Sequence, residues 1–293
     1  MDTSHMDTSR IDDLKRRKAT PEIDRKVFEL AKGYLPSLKI TGVTENLIEK
    51  YLNPLSFNPK PTTKEELYRR ILESAQNAGM KAGVIGGSID GVDKLASVVD
   101  GFKPEAVLAK YEDNWQDVLD QIIKKVKPRG QIRRTPRSIW PRYCQTILSA
   151  AEFLEQFISA DDLFTWIDFF DKDDRARASL PMLLDHEIEG FGFALSCDFL
   201  KELGYVNFPK PDVHLRNIFT ALGLCQAGID DYQLFKAIVR VAKNANVTPY
   251  AADKVFWLIG SGYFYDDHVI GLNGRIGRHK QDFIEFARSK ISA

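Results

Sequence analysis

Asp212 lies in the stretch Asn207-Phe-Pro-Lys-Pro-Asp-Val-His214, where a carboxylate follows two prolines and opens an apolar-periodic run. Pro209 and Pro211 hold the backbone extended on either side of Lys210. Leu215, Ile218, Phe219 and Leu222 then recur at helical spacing, and Gly223 ends the run. An aspartate at such a helix start has two uses. It caps the N–H groups two and three residues on, typically worth about 1 kcal/mol. Alternatively, it faces a reacting centre, where a fixed carboxylate stabilises developing positive charge and orients or deprotonates a water.

Two other stretches carry chemistry. Gly190-Phe191-Gly192 interrupts two apolar helical faces, Leu180, Leu183, Leu184 and Ile188 before it and Ala194, Leu195, Phe199, Leu200 and Leu203 after it. Glycine permits the positive φ of a tight turn and lets a phosphate approach the backbone. The second helix then begins with unsatisfied N–H groups, a ready anion site. The run 124–142, KKVKPRGQIRRTPRSIWPR, holds eight Lys or Arg and no acid. Its prolines and glycine predict a loop that presents Arg129, Arg133, Arg134 and Arg137, with Trp140 either stacking on a base or anchoring the loop. A flexible basic loop without a partner is the bland alternative. Against a phosphate role for the turn stands Glu189, and residues 159–190 carry nine acids against three bases.

The elements that position these residues are all predicted as helices. Residues 10–35 give one or two short helices and 44–52 another, capped by Thr44. Pro54, Pro59 and Pro61 make an extended connector. Thr63-Lys-Glu-Glu66 reads as a capping box for a helix to about residue 80. The glycine-rich 81–90 reads as a loop. Short helices follow at 90–98, 104–111 and 115–126, then the longest pattern at 138–158. Ser159 caps the next helix, Asp230/Asp231 open another, and Thr248-Pro249 starts the one that carries Trp257. A last amphipathic helix covers 278–291. No period-2 run reaches strand length, so the expected fold is all-α.

Residues 188–224 resemble the helix-hairpin-helix–Gly/Pro–Asp signature of the base-excision DNA glycosylases, the superfamily of endonuclease III. Ile188-Glu-Gly-Phe-Gly192 stands where that family has Leu-Pro-Gly-(Val/Ile)-Gly, and Pro211-Asp-Val-His214 where it has Val-Asp-Thr-His. Asp253-Lys-Val-Phe-Trp-Leu-Ile-Gly-Ser-Gly262 is similar to the family's late helix. The resemblance implies two helical lobes with a cleft between them. On that pattern residues 10–89 pack with the C-terminal lobe, 90–224 form a central lobe, and 225–293 complete the other. Residues 1–9 read as an expression scar.

The resemblance also implies a reaction. Cleavage of a base–sugar bond passes through an oxocarbenium-like sugar, which Asp212 would stabilise while positioning water. Glycosylases that also cut the strand place a Lys two residues after the second hairpin Gly; this chain has Ala194. That points to a monofunctional enzyme acting on double-stranded DNA that contains a damaged or modified base. Lys210 remains a substitute amine or a phosphate contact. Trp166, Tyr205, Phe208 and Trp257 are candidate pocket walls for a flipped base. Ile89 is a candidate wedge for the gap the base leaves, and His214 is a structural residue. The rival readings are a non-catalytic DNA-binding module and a glycosylase/lyase with a displaced Lys.

Composition bounds the rest. The 293 residues are 44% hydrophobic, with 41 Lys+Arg against 41 Asp+Glu. Zero net charge argues against a protein that coats nucleic acid indiscriminately and permits a local basic face. Cys144, Cys197 and Cys225 lie far apart, which argues against a disulfide framework, a zinc site or the four-cysteine iron–sulfur cluster of many relatives. No organic cofactor or metal is therefore expected. The N-terminus lacks an apolar signal core and no apolar run is of membrane-spanning length. A cytoplasmic monomer, nucleoid-associated when on DNA, is expected.

Overall fold

The computed structural model describes residues 19–53, 59–76 and 84–291. Residues 1–18, among them the stretch 1–9 expected to be an expression scar, and residues 54–58 of the proline connector lie outside the described residues. Helix is the dominant element, and the described residues contain only isolated β-bridges such as Tyr263 with Arg275. The fold is all-α. In chain order the helices are α1 (Pro21–Ser37), α2 (Glu45–Leu52), α3 (Lys64–Ala75), α4 (Val84–Ile89), α5 (Pro104–Tyr111), α6 (Trp115–Gln121), α7 (Ile139–Glu155), α8 (Ala160–Asp171), α9 (Ser179–Glu187), α10 (Phe193–Glu202), α11 (Val213–Ala221), α12 (Asp231–Ala245), α13 (Pro249–Ser261) and α14 (Lys280–Ile291). A 3₁₀ helix covers Val92–Ser97, and a π-helical turn, Ile122–Val126, extends α6.

The caps fall where side-chain chemistry places them. Thr20, Thr44, Thr63, Ser159, Asp230 and Thr248 each accept a backbone N–H from the first turn that follows. Asp230 and Gln233 form a reciprocal capping box. At α3 the return arm differs from the expected box: Glu66 accepts from the N–H of Thr62, at 2.6 Å, rather than from Thr63. The expected loop at 81–90 is α4 from residue 84 onward, with 81–83 outside the described residues. Ile85 and Ile89, four residues apart, are both buried, and that apolar pair outweighs the low helix propensity of Gly86 and Gly87.

The helices form two compact units. One gathers the described residues of Met1–Phe57 and Val206–Ala293, the other those of Asn58–Tyr205. The divisions therefore fall near 57 and 205, whereas the sequence suggested 89 and 224. Packing explains the difference. In the second unit α3 is tied to α7: the Tyr68 hydroxyl donates to the Ile147 carbonyl at 2.6 Å, and the Tyr143 hydroxyl to the Leu72 carbonyl at 2.9 Å. α5 and α6 also pack on α7, while α9 and α10 form the hairpin pair.

In the first unit α11 packs on α13, and α12 on both α1 and α13. The fully buried Asp24 of α1 accepts from Arg240 Nε at 2.8 Å and from Asn244 Nδ2 at 2.7 Å, both on α12. A buried carboxylate is tolerated only with such partners. Phe28, Leu35, Phe219, Phe256 and Phe283 belong to the core of this unit. No described helix is long and apolar enough to cross a membrane.

Candidate active site and nucleic-acid interface

Asp212 is the N-cap of α11. Its Oδ1 accepts the N–H groups of His214 at 2.8 Å and Leu215 at 3.0 Å. Oδ2 has no hydrogen-bond partner among the described residues, so one oxygen holds the helix and the other is available. Burial pushes the carboxyl above its ordinary proton affinity, and the charge of Asp253 adds to this. The Leu215 N–H, His214 and Lys210 pull the other way. The cap role and a chemical role are thus compatible in one side chain.

The segment before Asp212 is held from α13. The Lys210 N–H donates to Asp253 Oδ2 at 2.9 Å, and Asp253 is only 1% exposed. The Tyr250 N–H donates to the Val206 carbonyl at 2.9 Å, a second tie between the same two segments. Beside Asp253, Lys254 is also buried. Its ammonium donates to the Tyr265 hydroxyl at 3.0 Å and sits 4.8 Å from the Tyr265 ring centroid, 5.3 Å from Tyr250 and 5.5 Å from Trp257. These are cation–π distances. His214 Nδ1 is buried with no hydrogen-bond partner among the described residues, and the ring lies against Gly260.

Asp253, Lys254, Tyr250 and Tyr265 were not singled out from the sequence as site residues. A signal was present: Asp253-Lys254 is a charged pair inside the otherwise apolar run 249–260, which has no solvent-facing polar stripe to explain it.

The hairpin is in the second unit. Gly190 adopts φ +78°, and a side chain there would press on Thr146 Oγ1. Two α7 hydroxyls fasten the turn: Ser149 Oγ accepts the Glu189 N–H at 2.9 Å, and the Thr146 hydroxyl donates to the Glu189 carbonyl at 2.6 Å. The Glu189 side chain is exposed. Gly192 is exposed and α10 begins without a side-chain cap. Phe191 is a different matter. Its ring is fully buried against Phe199 and its N–H donates to Ile188, so it builds the turn instead of facing a ligand.

The basic run divides. Arg129 pairs with Asp90 at 2.8 Å and Arg134 with Asp120 at 2.6 Å. Arg133 and Arg137 are exposed and form no ion pair among the described residues. Trp140 is buried in the first turn of α7, edge-on to Tyr143; it anchors the loop and offers no face to a base.

The pocket candidates also divide. Ile89 is buried on α4 and presents no wedge, because that helix needs it for its inner face. Phe208 is fully buried, packed toward Phe235, and therefore core. Tyr205 is buried, donates to Asp168 Oδ1 at 2.9 Å and lies under Lys60. Trp166 is half-buried in an aromatic cluster with Phe153, Phe157 and Phe170. Trp257, half-buried, shares the first unit with Asp212, on the helix against which α11 packs.

The sequence matches no family model and no curated protein. Two solved structures are similar to this chain: the Methanocaldococcus jannaschii 8-oxoguanine glycosylase/lyase in complex with 15mer DNA containing 8-oxoguanine, and the 8-oxoguanine DNA glycosylase of the same organism. Each shares 15% identity over 79% of this chain, with a TM-score of 0.48; the matches cover 97% and 94% of those chains.

Proposed function

We propose that this chain is a monofunctional DNA glycosylase, a monomer that hydrolyses the bond between a damaged or modified base and its sugar in double-stranded DNA. The observation that carries the reading is the divided carboxylate of Asp212, with Oδ1 fixed by two backbone N–H groups and Oδ2 without a partner among the described residues. As C1′ gains positive charge, Oδ2 stabilises it and orients the attacking water; the base departs with the bonding electron pair, the water oxygen bonds C1′, and the water's proton passes through Oδ2 to the departing base. Asp253 positions this group by holding the backbone two residues upstream.

The uncapped start of α10 and the exposed Gly192 support a phosphate contact at the hairpin. Arg133 and Arg137 support further contacts. Ala194 supports hydrolysis over amine attack. The exposed Glu189 favours a second reading, a DNA-binding module without excision, because its charge repels a phosphate at the turn.

Trp257 is our candidate wall for the flipped base. The ammonium of Lys254 already lies over the Trp257, Tyr250 and Tyr265 rings. A second cation beside it is repelled, so a neutral base suits this wall better than a cationic alkylated one. Incubation with duplexes carrying neutral or cationic modified bases, followed by alkali to break abasic sites, tests the reading. Release of a neutral modified base is expected; no release from any duplex, with binding intact, leaves the non-catalytic module.

A further inference from the structure

A hollow of about 380 Å³ opens in the second unit where the end of α4, the 3₁₀ helix Val92–Ser97 and the segment 125–129 meet. Its charged lining is Lys94, Lys125, Lys127, Arg129 and Asp90, four cations against one anion. Arg129 and Asp90 neutralise each other at 2.8 Å. Among the described residues the three lysines form no ion pair. Other lysines of this chain do, as Lys32 does with Glu49 at 2.5 Å and Lys110 with Asp100 at 2.7 Å. In a chain of zero net charge, the hollow is a concentrated positive excess.

The walls are fixed rather than loose. The Arg129 N–H donates to the Ser88 carbonyl at 2.9 Å, and its guanidinium reaches the Gly87 carbonyl, which ties the loop to α4. Lys125 Nζ donates to the Ser97 carbonyl at 3.1 Å and so holds its charge against the 3₁₀ helix. Lys127 adopts φ +55° and its N–H closes the π-helical turn on Ile122 at 3.1 Å. Three ammonium groups gathered on one concavity repel one another, and an anion between them removes that repulsion.

We propose that this hollow is a phosphate-binding site, with Lys94, Lys125 and Lys127 as its charges. Lysine binds phosphate as a compact point charge with rotatable donors, which suits a hollow entered from solvent. The phosphate is a strand phosphodiester or a free phosphate anion; only the choice of source rests on the reading of this chain as a DNA-binding protein. Lys94 lies outside the basic run, so the charge centre is a pocket shared between two segments, distinct from the arginines at 133–137.

The test compares the native protein with a Lys94→Gln/Lys125→Gln/Lys127→Gln variant, which keeps the side-chain stems and removes three exposed charges. Affinity for an undamaged duplex is measured across salt, and thermal unfolding is measured with inorganic phosphate or chloride at equal ionic strength. A log–log salt slope shallower by about 1–3 units in the variant, at about 0.9 per phosphate, establishes the strand phosphodiester as the ligand. An unchanged slope, with phosphate raising the unfolding temperature of the native protein alone, establishes a free anion. If neither quantity differs between the two proteins and the variant is folded, the hollow is no phosphate site. Undamaged duplex requires no excision, so this outcome is independent of base release.

Discussion

Asp253 accepts the Lys210 N–H at 2.9 Å while buried on α13, so one carboxylate holds the backbone that delivers another. The two acids cannot be treated separately. Asp253 fixes where Asp212 stands, and its charge raises the cost of ionising Asp212. Burial of Asp212 acts in the same direction and is the larger cause.

A pH profile follows from that pair. If Asp212 works ionised, base release falls on the acid side as it takes up a proton, and the raised proton affinity places that limb above the ordinary aspartate range. Asp253→Asn keeps an acceptor for the Lys210 N–H but removes the charge that raises Asp212. His214 and Lys210, which lower it, remain. The acid limb of single-turnover base release should therefore move to lower pH. A limb unmoved in a folded Asp253→Asn variant contradicts the electrostatic link.

Gly260 tests the fit of α13 against α11. A Cβ at that position would lie 2.5 Å from His214 Cβ and 2.9 Å from His214 Cγ. The ring cannot swing away from a contact at its own Cβ, so Gly260→Ala must shift α11 or strain it. Overpacking of this kind costs about 1–3 kcal/mol, against which the better helix propensity of Ala returns at most about 1 kcal/mol. A lowered unfolding temperature is expected, together with slower base release because Asp212 opens the displaced helix. An unfolding temperature at or above that of the native protein would show that the contact relaxes freely.

Glu202 makes the second unit sensitive to pH. Burial, reinforced by Asp198, pushes its carboxyl from the ordinary 4.5 up to about 7, although the Ser74 hydroxyl donates to it at 3.1 Å. A raised carboxylate binds its proton more tightly folded than unfolded. Its contribution is therefore complete below about 4.5 and is lost as pH rises to about 7. Glu202→Gln should flatten the decline of stability across that window in denaturant titrations. A decline of unchanged steepness would assign it to other groups.

Much of this architecture was legible because it is local. Helix caps at Thr44, Ser159, Asp230 and Thr248 depend on a side chain and the next three N–H groups, and the pattern at Pro104–Tyr111 repeats at a single period. What escaped reading depends on partners far along the chain. Gly86 and Gly87 suggested a loop, yet Ile85 and Ile89 find a core and keep a helix. Arg129 and Arg134 looked like free phosphate ligands, but Asp90 and Asp120 take their charge. Trp140 and Phe208 have the side chains of a base pocket and Phe191 sits in the hairpin expected to meet DNA, yet all three serve as core, since an aromatic residue looks the same in sequence whether it faces a ligand or its neighbours. Asp212 was legible through its prolines and its apolar helix; Asp253, 41 positions on, was visible only as a charge misplaced in an apolar run.

In the proposed reaction the Asp212 carboxylate acts on the sugar. Asp212→Asn retains size and an equivalent helix cap, so folding should be little changed. The measurement is single-turnover base release from a modified duplex by the native and Asp212→Asn proteins, with duplex affinity and borohydride trapping recorded alongside. For Asp212→Asn, base release should be slower by about 10²–10⁴, with affinity retained or tightened because a negative charge has gone and no covalent adduct with either protein. Base release at the native rate by a folded Asp212→Asn variant would contradict this role.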